Sequence, residues 1–99
     1  MKAFHVVAVK DELIGSFLQP TYGEDINALI RIFKTQINTV PIWKDNASDF
    51  SFYKLGEFDA ETGHYVEHIE KIASGHSLIE KEEYNVLHGS EQTTEKNNA

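Results

Sequence analysis

Ile26, Leu29, Ile30, Phe33 and Ile37 fall at i, i+3, i+4, i+7 and i+11. That spacing aligns their side chains along one side of an α-helix, so residues 26–38 are predicted as an amphipathic helix whose apolar stripe must be buried. Thr21 and Glu24 stand ahead of it at the Thr-x-x-Glu spacing of a capping box, which places the helix start after Thr21.

The segments around this helix carry strand patterns. Residues 2–10 (KAFHVVAVK) are β-branched and apolar between two lysines, and Gly15 lets the chain turn so that residues 16–19 return beside them before Pro20 ends the pairing. Residues 39–49, with Pro41 and Asn46, are read as an ordered loop holding Ile42 and Trp43. Residues 50–58 (FSFYKLGEF) follow as a strand, in which period 2 puts Phe50, Phe52 and Phe58 on one face and Ser51, Tyr53, Leu55 and Glu57 on the other. Turn chemistry at residues 59–63 (DAETG) then brings residues 64–69 back as a fourth strand. Ser77 and Glu80 repeat the capping-box spacing and Gly89 can stop a helix, so a short C-terminal helix is predicted between them. The expected fold class is α+β: two β-hairpins flank the amphipathic helix, and a four-stranded, mainly antiparallel sheet packs its Phe50, Phe52 and Phe58 row against the stripe.

Size and charge bound what such a fold can do. Ninety-nine residues with eleven aromatics make one domain with one core, expected over residues 1–89, while residues 90–99 (SEQTTEKNNA) hold no large apolar side chain and are expected to be a solvated tail. The chain has no cysteine, which excludes a disulfide framework and a thiolate zinc site and suits a reducing cytosol. The apolar run at residues 3–9 is too short to span a membrane and lacks a signal-peptide cleavage site. Net charge is −7, and all of it lies after residue 54, where three basic residues face ten acidic ones. Before that point six basic residues balance six acidic ones, a split that separates a neutral body from an acidic second half.

Within the body, Asn27, Arg31, Lys34 and Asn38 form an outward stripe opposite the apolar one, a path along which phosphate can lie. Trp43 beside Lys44, Tyr53 beside Lys54, and Tyr22 near the helix start are the available stacking partners for bases. His64 and His68 would converge on one helix face, but in a strand they stand about 13 Å apart, so no metal site is expected. No G-x-S-x-G elbow, G-x-G-x-x-G loop or P-loop occurs, and the carboxylates sit in turns and on exposed faces; neither catalysis nor a cofactor is expected.

Asp11, Gly15, Phe17 and Pro20, then Ala28, Arg31 and Phe33, then Asp49-Phe50, residues 53–59 (YKLGEFD) and Thr62-Gly63 together resemble the small nonstructural protein of microviruses, in particular the gokushovirus group. The resemblance covers residues 4–64 and is most specific at LGEFD-x-x-TG. It implies a protein made during infection in the host bacterial cytoplasm, absent from the mature capsid, that binds DNA and takes part in making or handling single-stranded genomes. Two functions are therefore expected in competition: non-specific single-stranded DNA binding through Arg31, Lys34, Lys44, Lys54 and the aromatics Tyr22, Trp43 and Tyr53, or a protein-interaction module that docks on a host or phage replication protein without touching DNA. A sheet with a free edge and an uncovered face also predicts self-association as a dimer.

Overall fold

The structure is a computed structural model that describes residues 3–80. Strand β1 (Ala3–Asp11) is followed by two short strands, β2 (Ser16–Phe17) and β3 (Thr21–Gly23), and by helix α1 (Ile26–Thr39). A short helix α2 (Pro41–Asp45) and a 3-10 turn (Ala47–Asp49) lead into the long hairpin of β4 (Phe50–Asp59) and β5 (Tyr65–Ser74), and helix α3 (Gly75–Leu78) ends the described chain. The sheet is antiparallel throughout, in the order β2-β1-β4-β5, with β3 also paired to β1.

Local chemistry accounts for most of these boundaries. Asp11 Oδ1 accepts the Leu13 N–H at 3.0 Å and Gly15 takes φ 76°, which only a residue without Cβ adopts cheaply, so β1 reverses into β2. Pro20 has no N–H to give the ladder, and the chain resumes pairing one residue later: Thr21 pairs with Val7 and Tyr22 with Val6. Among the described residues the sheet therefore has five strands where the pattern predicts four, and the capping box expected at Thr21 is absent because Thr21 belongs to β3. Asp25 caps α1 instead, its carboxylate accepting the Asn27 N–H at 2.9 Å. Pro41 forces Val40 into extended backbone and ends α1, then opens α2 at a position where its missing N–H costs nothing; the expected loop at residues 39–49 is two short helical turns.

The stripe is buried as its spacing requires. Leu29, Phe33 and Ile37 pack with Val7, Phe50 and Phe52, and the Phe33 ring stacks on Phe52 with centroids 5.3 Å apart. Phe58 departs from this row. Val6 pairs with Gly56 and Val7 with Lys54, so Leu55 is an extra residue in β4, and a one-residue slip turns everything beyond it to the opposite face. Phe58 stands on the face away from α1, across from Phe4, and is 38% exposed.

The second hairpin turns through Asp59, which accepts the Glu61 N–H at 2.9 Å, and Gly63 at φ 79°. Strand β5 runs to Ser74, five residues beyond the expected end. Ser74, not Ser77, caps α3, accepting the Ser77 N–H at 3.2 Å, and that helix ends at Leu78. The remainder of the helix expected up to Gly89 and the tail at residues 90–99 lie outside the described residues.

Candidate nucleic-acid interface

Helix α1 covers one face of the sheet, and the other face carries most of the exposed aromatic surface. Alternation along β1 aims Phe4, Val6, Ala8 and Lys10 at that open face, and the register brings Phe58, Tyr22, Tyr53 and Phe17 beside them. Two aromatic clusters result.

At one end, Phe4 meets Tyr22 edge to face with centroids 5.5 Å apart, and with Val6, Phe58 and Tyr65 they line an apolar cleft of about 450 Å³. Tyr22 is 67% exposed and Tyr65 44%. Gly56 forms part of the cleft's seat: a Cβ there would lie 2.5 Å from the Tyr65 hydroxyl and collide with the Val66 carbonyl, so the Tyr65 ring rests where a side chain would otherwise stand.

At the other end, Phe17 meets Tyr53 edge to face at 5.2 Å, and the Lys10 ammonium lies 5.4 Å from the Phe17 centroid and 5.6 Å from that of Tyr53. The Tyr53 hydroxyl donates to Glu12 at 3.2 Å, while Lys10 and Lys71 approach the same carboxylate at 3.8 and 3.6 Å. A hydrogen bond from buried Ser51, then those from Tyr53 and the two lysine charges, hold the Glu12 carboxyl below the ordinary carboxylate value. Partial burial and, after it, the Glu12 charge push the Tyr53 phenol up, so it stays protonated at neutral pH and keeps its donor. Two ammonium groups thus face one carboxylate at the Phe17–Tyr53 cluster.

The residues expected to act together are divided by the sheet. Arg31 and Lys34 do share the exposed outer side of α1, but Tyr22 and Tyr53 lie on the far face. Tyr53 and Lys54, adjacent in a strand, point to opposite faces; Lys54 is largely covered and its ammonium meets Glu57 at 2.6 Å. Trp43 stacks on Phe50 at 5.1 Å and is half-buried at the edge of the core, with Lys44 half-buried beside it, so that indole is packing rather than a free platform. Asn38, expected to flank the basic stripe, is occupied: its amide donates to the Lys34 and Leu78 carbonyls at 2.8 and 3.1 Å, and its oxygen accepts the Glu80 N–H at 2.7 Å. Glu80 is thereby seated in one shallow depression with Arg31 and Lys34.

Phe4, Phe17, Tyr65, Lys10 and Lys71 were not among the expected contacts. Lys10 and Phe4 were legible from the period-2 pattern of residues 4–10; the others depend on which strand lies beside β1 and β4, which no local pattern states. His68 stands on the edge strand 3.3 Å from Glu70. Among the described residues no helix is long and apolar enough to cross a membrane.

Residues 4–78 match the family described as phage ORF5 protein. No curated protein and no solved structure matches the chain.

Proposed function

Because the chain belongs to the phage ORF5 protein family, we propose that this phage accessory protein binds single-stranded DNA without sequence preference, on the sheet face opposite α1, during synthesis or handling of a single-stranded genome in the host cytoplasm. The observation that carries the reading is the pairing of exposed aromatic clusters with Lys10 and Lys71 on a face that no helix among the described residues covers. Bases stack on rings whatever their identity, and each such contact contributes about 1–3 kcal/mol. A single strand can expose its bases to that face while its phosphates pass the ammonium groups; a duplex, with its bases already stacked, cannot. The −7 charge opposes long-range attraction, so affinity is weak and rests on short-range contacts.

The test is a fluorescence-polarisation titration of labelled oligonucleotides, single- and double-stranded, at two salt concentrations. Single strands should bind more tightly, with a salt slope equivalent to about two to four phosphates at roughly 0.7 per contact. Tyr22→Ala should weaken binding about tenfold without unfolding the chain, since the ring is exposed. If Arg31→Glu with Lys34→Glu abolishes binding while Tyr22→Ala leaves it intact, the strand follows the outer side of α1 instead.

A second reading, a module that docks on a replication protein, is favoured by one feature. Between α1, Trp43 and the β2–β3 segment runs a groove of about 520 Å³ with Leu18, Pro20 and Ile32 at its surface, suited to an apolar stretch of another polypeptide. Absence of oligonucleotide binding even at low salt would leave this reading in place of the first.

A further inference from the structure

Among the described residues strand β5 ends the strand order, and its first seven residues are exposed, Tyr65, Val66 and Ile69 at 44, 54 and 56%. Its outer side presents a row of N–H and C=O groups able to pair with another strand. We propose that this edge pairs with the β5 of a second copy, antiparallel about a two-fold axis through Ile69, so that two sheets join into one. The proposal stands on the edge and its charges and does not depend on DNA binding.

The sequence of β5 selects the register. Partners across an antiparallel pair must share a face, so a two-fold pair has to be centred on one residue that faces its own copy. Centred on Ile69, the pair sets His68 against Glu70, Glu67 against Lys71 and Val66 against Ile72 of the second copy, matching each charge with an opposite or titratable partner and each apolar residue with an apolar one. Centring on Glu67 or Glu70 instead sets that carboxylate against itself. Centring on His68 sets Glu67 against Ile69 and Glu70 against Val66. Of these four centres, only Ile69 satisfies residues 66–72. Because the axis is perpendicular to the sheet, the aromatic faces of the two copies lie on the same side and become one continuous surface.

The chain contains no cysteine, so one can be introduced at the axis alone. Residues facing each other in an antiparallel pair have Cα atoms about 4.5 or 5.5 Å apart, both within the range a disulfide spans. Ile69→Cys should therefore oxidise to a covalent dimer at low micromolar concentration, whereas Leu13→Cys, 77% exposed in the first hairpin turn, should stay monomeric. In sedimentation equilibrium, Glu67→Lys or Lys71→Glu alone should raise the dimer Kd about tenfold, and the two together should restore it. The restoration separates pairing between copies from the Lys71–Glu12 contact within one copy, which Glu67→Lys does nothing to repair. Each variant should keep the circular dichroism spectrum of the parent. Cross-linking of Ile69→Cys no faster than Leu13→Cys, a parent chain that stays monomeric at high micromolar concentration, or a double reversal no better than the single ones would each overturn the proposal.

Discussion

The side-chain oxygen of Asn38 accepts the backbone N–H of Glu80 at 2.7 Å, tying the last turn of α1 to a residue 42 positions later. With the amide also donating to Leu78, one side chain satisfies backbone groups that α3 leaves behind at its end. Asn38→Ala removes these bonds together and should cost about 1–3 kcal/mol. The loss should appear in hydrogen exchange as faster exchange at Glu80, while amides of β1 and β4 keep their protection.

Phe33 is 1% exposed and stacked on Phe52, at the centre of the contact between α1 and the sheet. Phe33→Ala leaves a cavity that the stiff β1–β4 pair cannot close, and should cost about 3–5 kcal/mol in chemical denaturation. A loss below about 1 kcal/mol would mean that α1 does not rest on this row.

Gly56 should not tolerate a side chain. Gly56→Ala places a methyl group against the Val66 carbonyl and the Tyr65 hydroxyl, so either β5 shifts off β4 or the Tyr65 ring leaves the aromatic cleft. The expected outcome is a lowered thermal midpoint together with altered Tyr65 ring resonances. An unchanged Tyr65 environment would refute the seat assigned to it.

Acid should destabilise the protein through three carboxylates. Glu12 is held below its ordinary value of 4.5 by Ser51 and then Tyr53 and the lysines, Glu57 below 4.5 by Lys54, and Asp59 below 3.8 mainly by the Glu61 N–H. Each folded value is depressed, so the folded state binds fewer protons than the unfolded state in this range. The stabilisation is fully present above the ordinary values and is lost as pH falls through the depressed ones. Denaturant midpoints should be level from pH 7 to about 5 and fall below that. Glu57→Gln should flatten part of the fall, since it removes one of the depressed groups.

Much of this architecture is written locally. The 3.6-residue spacing of Ile26 to Ile37 demands a helix with one buried side, and Gly15 and Gly63 supply the left-handed turns that both hairpins need, because these requirements involve residues close in the chain. What local pattern could not contain is how strands align with strands. Leu55 is an ordinary strand residue until Val6 pairs with Gly56 and Val7 with Lys54; only then does it become the extra residue that moves Phe58 from the core to the open face. Thr21 carries the spacing of a cap, yet a place beside Val7 on β1 satisfies its backbone in a ladder instead. The candidate site follows the same division. Arg31 and Lys34 share a helix side by sequence spacing alone, whereas the meeting of Phe17, Tyr53, Lys10 and Lys71 requires β1 to lie between β2 and β4, with β5 beyond, an arrangement set by burial of the α1 stripe against Val7, Phe50 and Phe52.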